Sequence, residues 1–121
     1  MPPLRRGHLS EASLAPPKGE TAGEVFGLHG VVIEQILSGE LVAPVDHDQP
    51  HDEWVVLLDG RAELDLEGER CALVPGDWIF IPRHTPHRLV RTDPGSRWLA
   101  VRSAGEAPEE VLPPIRRAPT R

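Results

Sequence analysis

Short apolar segments separated by turn residues fill the middle of the chain. Residues 54–58 are continuously apolar, which is typical of a strand buried on both faces. Residues 61–66 alternate strictly between polar and apolar side chains, which predicts a strand with one face in the core. Asp59 and Gly60 lie between these segments and signal a hairpin turn. The pattern therefore predicts two neighbouring strands joined by a tight turn.

The same kind of segment recurs along most of the chain. Strands of four to seven residues with turns every 8 to 12 residues indicate a β-sandwich or barrel, and no stretch has a sustained helical period. We therefore expect an all-β fold. The further predicted strands are residues 31–37, 41–45, 70–74, 78–81, 87–91 and 97–101.

The two ends of the chain differ from its middle. Residues 1–22 are rich in proline and charge without a sustained apolar period, so we expect a partly ordered N-terminal arm. Residues 104–121 predict a proline-rich C-terminal tail. We expect residues 23–103 to form the barrel domain. A chain of 121 residues is long enough for one hydrophobic core and too short for two ordinary domains.

Composition and charge exclude several classes of function. A formal net charge of −6 disfavours binding to nucleic acid or to an anionic membrane. The first ten residues have no apolar run that could act as a signal peptide, and no apolar stretch approaches the length of a membrane span, so we expect a cytoplasmic protein. Cys71 is the only cysteine, which excludes an intramolecular disulfide and a cysteine-based zinc site.

Four of the six histidines fall in two clusters beside predicted strands. The first cluster, residues 47–53, contains His47, His51 and Glu53, and the second, residues 82–87, contains His84 and His87. Imidazole nitrogen and carboxylate oxygen together suit iron, manganese, nickel or zinc. Two strands of one barrel could bring the clusters together, so the sequence indicates a pocket for a divalent transition metal.

Both clusters lie within motifs that resemble those of the cupin superfamily. The first cupin motif, G-x5-H-x-H-x3-E-x6-G, is matched by His47, Glu53 and Gly60, with Gln49 at the position of its second histidine. The second motif, G-x5-P-x-G-x2-H-x3-N, is matched at three positions. Together the motifs cover about residues 41 to 101. The positions matched in the second motif are Gly76, Pro82 and His87.

The resemblance implies a fold and a set of metal ligands. The fold is the double-stranded β-helix, or jelly-roll barrel, of the cupins. The implied ligands are His47, Glu53 and His87, with Gln49 as a weak oxygen ligand, or with His51 in its place if the loop around Pro50 turns the imidazole inward. This set of two histidines and one carboxylate is the arrangement associated with non-haem iron(II) sites.

Arg91 stands where the second motif has asparagine, four residues after His87. On a regular extended strand both side chains point to the same face. If that face is the barrel interior, Arg91 is a candidate for binding a substrate carboxylate. The alternative is a residue at a strand end whose guanidinium reaches solvent.

The cupin resemblance implies two classes of function. The first is a metal-dependent enzyme, of dioxygenase or of isomerase or lyase type, acting on a small organic molecule. The alternative is a non-catalytic barrel that binds or senses a small ligand. The resemblance also implies a homodimer. No phosphate-binding loop, dinucleotide fingerprint or nucleophile elbow is present in the sequence.

Overall fold

The computed structural model describes residues 4–103, which form nine β-strands and one short 3-10 helix, Ala12–Leu14. The predicted all-β fold is confirmed, and every pairing between these strands is antiparallel. No helix in this part of the chain is long and apolar enough to cross a membrane. The strands are β1 Glu20–Leu28, β2 Val31–Ser38, β3 Val45–His47, β4 Glu53–Asp59, β5 Ala62–Leu66, β6 Glu69–Leu73, β7 Trp78–Ile81, β8 His87–Thr92 and β9 Ser96–Ser103.

The strands form two sheets with the apolar core between them. One sheet has the order β1-β2-β9-β4-β7, and the other has the order β3-β8-β5-β6. The core cluster contains Leu57 and Trp98 from the first sheet and Leu64 and Leu89 from the second. Alternate residues of each strand point inward, as the pleat of a strand requires. The inward positions of β4, for example, are Glu53, Val55 and Leu57.

The tight turn predicted at residues 59–60 connects β4 to β5 and depends on glycine. The predicted hairpin is wrong, because the two strands lie in different sheets and pair with other strands. Gly60 has a φ of +91°, and a Cβ at this position would lie 2.8 Å from Cα of Ser96. A side chain would therefore be strained by the backbone conformation and would collide with β9. The turn carries the chain from the larger sheet to the smaller one.

Two regions differ from the expected strands. The strand predicted at residues 41–45 is wrong, because β3 begins only at Val45, after Pro44, which has no N–H to donate to a ladder. Val42 in that segment is 80% exposed. Strand β1 was not expected, because most of its residues are exposed and a bulge between Glu24 and Phe26 interrupts the alternation.

Part of the N-terminal segment packs on the outer face of the larger sheet. The amide N–H of Ser10 donates to Oε1 of Gln35 at 2.8 Å, and Nε2 of Gln35 donates back to the carbonyl oxygen of Ser10 at 2.7 Å. Strand β1 begins at Glu20, so the boundary of the arm at residue 22 stays a prediction. The predicted tail, residues 104–121, lies outside the described residues.

Candidate functional site

The histidines of the two motifs meet across one strand pair. His47, the last residue of β3, lies opposite His87, the first residue of β8. Their rings are stacked with centroids 5.3 Å apart and an angle of 21° between the planes. His87 is buried and His47 is half-buried. The β3–β8 register thus brings together two residues that are 40 positions apart in the sequence.

The orientation of His87 is fixed by the backbone of its own loop. Nδ1 of His87 lies 2.9 Å from the carbonyl oxygen of Thr85. Because a carbonyl can only accept, Nδ1 carries the proton and donates, which leaves Nε2 of a neutral ring as the free nitrogen. The pKa of His87 is lowered chiefly by burial; the hydrogen bond to Thr85 opposes this shift, and the nearby His47 adds to it. Burial also lowers the pKa of His47. Both rings are therefore held in the neutral form that a metal ligand needs.

Glu53 lies on the larger sheet, at the start of β4, and only 8% of its surface is exposed. Its pKa is raised by burial first and by the neighbouring carboxylate of Glu34 second, while Arg102 opposes the shift. Glu53 lies directly opposite Arg102 in the β4–β9 ladder. This end of the barrel therefore contains charged groups among the inward positions.

The loop between β3 and β4 buries two polar atoms without partners. Among the described residues, three buried side-chain atoms have no hydrogen-bond partner, and two of them, Oε1 of Gln49 and Nε2 of His51, are in this loop; the third is Oγ of Ser103 at the end of β9. The loop itself is anchored, because the amide N–H of His84 donates to the carbonyl oxygen of Gln49 at 2.7 Å. Burial lowers the pKa of His51, followed by the charge of Arg102. Buried polar atoms without partners are rare, and an amide oxygen and an unprotonated imidazole nitrogen both suit an electropositive partner such as a metal ion.

The residues of the implied ligand set form two groups. His47 and His87 stack on each other, whereas His51 and Glu53 are electrostatically coupled to Glu34 and Arg102. Within residues 4–103, no group of three His, Cys, Asp or Glu side chains is close enough to hold a metal ion as the side chains stand. The donor types fit a transition metal, and the ligand assignment stays a prediction.

Arg91 lies on the outside of the barrel, so the expectation that it shares the inward face of His87 is wrong. In the β5–β8 pairing, Glu63 is opposite Arg91, but the next residue, Leu64, is opposite Leu89. Val90 is therefore an extra, bulged residue in β8, and it reverses which face the following side chains point to. The side chain of Arg91 is 56% exposed, and its guanidinium pairs with the carboxylate of Asp93 at 2.7 Å.

Two inward-facing charged residues were not expected from the sequence. Nε of Arg102 donates to Oε1 of Glu34, and only 23% and 21% of these side chains are exposed. A signal was present, because Glu34 interrupts the apolar run of residues 31–37 and Arg102 ends the apolar run of residues 98–101. A charge within a buried strand needs a partner, and the partner is on the neighbouring strand.

A cavity of about 550 Å³ opens beside the two stacked histidines. Its size is within the range of small-molecule sites. Its lining combines the two imidazoles with carboxylates and one guanidinium. The lining includes Asp48, Asp65, Glu67, Arg88, His47 and His87.

The fold and the two histidine motifs together define a cupin barrel, and comparison with known proteins agrees. The family model of the cupin domain matches residues 32–102. This range is more than half of the chain, and the chain therefore belongs to the cupin family. The predicted jelly-roll fold is confirmed by the same comparison and by solved structures that share it.

Three similar proteins have different named activities. A quercetin 2,3-dioxygenase of Bacillus subtilis (strain 168) is 49% identical over 69 residues, which are 57% of this chain and 19% of that protein. A protein of Ralstonia eutropha JMP134, provisionally named a mannose-6-phosphate isomerase, is 32% identical with a TM-score of 0.67, over 84% of this chain and 100% of that one. The polyketide cyclase RemF of Streptomyces resistomycificus is 26% identical with a TM-score of 0.63, over 87% and 82% of the two chains.

The chain spans less than half the length of the curated relatives that it matches. The three named activities also belong to different reaction classes. The comparisons therefore establish the domain family and not a single substrate.

Proposed function

We propose that this protein is a metal-binding cupin enzyme that acts on a small organic molecule. The observation that carries the proposal is the pair of buried atoms without partners, Oε1 of Gln49 and Nε2 of His51, in the loop that joins β3 to β4. They lie between His47 and Glu53 in the chain, so four of the candidate donors fall within residues 47–53. Burying such atoms unpaired costs free energy unless a ligand satisfies them.

His47, Glu53 and His87 would hold the metal, and Gln49 or His51 would complete the set. Iron, manganese, nickel and zinc all suit these donors. When bound, the ion would supply Lewis acidity to a substrate oxygen or, if it is iron, a site for dioxygen. The reaction is then of dioxygenase type or of isomerase or lyase type. The relatives named as a dioxygenase and provisionally as an isomerase support these two classes.

The protein's own groups prepare the pocket for such chemistry. The carbonyl oxygen of Thr85 fixes the tautomer of His87 and so directs Nε2 away from the loop backbone. The depressed pKa values of His47 and His87 keep both rings unprotonated at neutral pH. The cavity beside the two rings gives a small molecule access to them.

The test is the metal content of protein purified without a histidine tag. We expect about one metal ion per chain, before or after reconstitution with iron(II), manganese, nickel or zinc, measured by mass spectrometry. His87→Ala should abolish the bound metal, whereas His8→Ala, which alters an exposed histidine, should not. Wild-type protein without metal under every condition would contradict the proposal.

A non-catalytic ligand-binding barrel is the second candidate. The observation that favours it is the stacking of His47 on His87, because two rings that face each other do not point to a common centre. If the metal test fails, screening small organic molecules for an increase in the melting temperature would test this second function.

We also propose that the protein is a homodimer. Trp78 and Phe80, on the edge strand β7, are 52% and 54% exposed, and Trp54 lies 6.0 Å from Trp78 between ring centroids. An aromatic patch on an open sheet edge suits pairing with a second copy. Light scattering after size-exclusion chromatography should give twice the chain mass, and Trp78→Ser should shift it to monomer. The same substitution type at an exposed site away from the patch, Val42→Ser, should have no effect.

A further inference from the structure

A partly buried ion pair lies inside the polar end of the barrel, next to the carboxylate assigned to the metal. Nε of Arg102 on β9 donates to Oε1 of Glu34 on β2. About a fifth of each side chain is exposed, so both groups are largely removed from water. A pair of this kind has little net effect on stability, yet a charge left without its partner here is costly.

The strand register places two carboxylates on the strands that flank Arg102. Arg102 lies directly opposite Glu53 in the β4–β9 ladder. Glu34 lies opposite Ala100, two residues before Arg102, so it is only a diagonal neighbour of Arg102. Directly opposite residues on one face are closer than diagonal ones. Arg102 nevertheless donates to the diagonal partner, Glu34, and Glu53 is left unbridged by it.

We infer that Glu34 is a positioning residue that holds the guanidinium of Arg102 away from Glu53 and so keeps the Glu53 carboxylate available as a metal ligand. This inference rests on the proposed metal site. Without the Glu34 carboxylate, the guanidinium of Arg102 is left partly buried and unpaired, and the nearest replacement is Glu53 across the ladder. A Glu53 carboxylate bridged by Arg102 is neutralised and held at the guanidinium, so a cation binds it more weakly.

Neighbouring charges distinguish this mechanism from a general effect of net charge. Glu24 lies directly opposite Glu34 in the β1–β2 ladder, and its side chain is exposed. Glu24→Gln therefore removes the same charge from the adjacent strand without removing the acceptor of Arg102. A general electrostatic effect predicts some loss for Glu24→Gln as well as for Glu34→Gln. The positioning mechanism predicts a loss only for Glu34→Gln.

The experiment is a calorimetric titration of metal-free protein with Ni²⁺ and, separately, with Mn²⁺. It is carried out in the wild-type background and in the Arg102→Gln background. In the wild-type background, Glu34→Gln should weaken metal binding by about tenfold or more, and Glu24→Gln should stay within about twofold. In the Arg102→Gln background, Glu34→Gln should have no further effect, because no guanidinium remains to capture Glu53. Circular dichroism checks that each variant is folded, and Glu34→Asp in both backgrounds replaces Glu34→Gln if that variant does not fold.

Each outcome has a definite meaning. Equal metal affinity in the wild type and Glu34→Gln would overturn the inference and leave the metal site intact. An equal loss in both backgrounds would also overturn it, because Arg102 would then play no part. Wild-type protein that binds neither metal would overturn the proposed function and, with it, this inference.

Discussion

The apolar and polar halves of the barrel interior are built on the same strands. Strand β4 begins with buried Glu53 and contains buried Leu57, and β9 contains buried Trp98 and ends near Arg102. In the apolar half, Leu57 and Ala100 have no exposed surface. In the polar half, two buried atoms of the β3–β4 loop have no partner.

The difference shows how one sheet combines packing with chemistry. The alternation of the strands points every second residue inward in both halves, but only the apolar half gains free energy from burial. The polar half buries carboxylates and imidazoles, which costs free energy. The apolar half therefore supplies the stability that keeps the polar groups in place. Substitutions in the two halves should change stability in opposite directions.

The largest effect should come from Leu57→Ala in the apolar half. Leu57 is fully buried, so truncation leaves a cavity in the core and should lower the free energy of unfolding by about 3 kcal/mol. Urea denaturation followed by circular dichroism measures this change. Leu28→Ala, the same substitution at a site that is 57% exposed, should change it by less than about 0.5 kcal/mol. Equal effects at the two leucines would contradict the assignment of the core.

Trp98→Phe should have the next largest effect. Nε1 of Trp98 donates to Oγ of Ser38 at 2.9 Å, and both residues are buried. The substitution removes this donor and some packing volume, so we expect a loss of about 1–2 kcal/mol in the free energy of unfolding. Trp54→Phe, on the outer face of β4, is the matched control and should cost less. The same denaturation experiment decides between these outcomes.

Glu53→Gln, in the polar half, should leave stability unchanged or raise it by about 1 kcal/mol near neutral pH. The raised pKa of Glu53 means that its carboxylate charge is less favourable in the folded than in the unfolded state, because burial and then Glu34 disfavour it. Glutamine removes that charge and keeps the shape. Glu69→Gln, at an exposed position, is the control. A loss above about 1 kcal/mol in metal-free protein would mean that the Glu53 charge stabilises the fold.

Most of the strands could be predicted from the sequence. The apolar run of residues 54–58 and the alternation of residues 61–66 predicted β4 and β5, because burial and the pleat act on each residue locally. Strand β1 could not be predicted, because its exposed residues and its bulge remove the alternation. The segment 41–45 was apolar enough for a strand, but Pro44 interrupts it and β3 starts after it.

The site was predictable only in the part that motifs encode. Their spacing selected His47, Glu53 and His87, and the structure places His47 opposite His87. A bulge is decided by pairing between strands, so the outward turn of Arg91 had no local signal. The partnership of Arg102 with Glu34 spans 68 positions and follows from the order of strands in the sheet, which the sequence alone did not give.

The smallest effect concerns the pH dependence of stability in metal-free protein. The pKa values of His47, His51 and His87 are all lowered, chiefly by burial, so the unfolded state binds more protons than the folded state just below the ordinary histidine pKa. Stability contributed by these neutral rings is fully present above about pH 6.5 and declines as pH falls toward the folded-state pKa values. The raised pKa of Glu53 acts in the opposite direction, since its protonation favours the folded state.

His87→Asn removes one of these titrating groups. The variant should lose less stability than wild type between about pH 7.5 and about pH 5.5, whereas His8→Asn, at an exposed site, should follow the wild-type curve. The measurement is the midpoint of urea unfolding at each pH. A steeper decline in His87→Asn would reverse the sign of the linkage, and the His87 imidazolium would then be stabilised in the folded barrel, contrary to its burial beside His47.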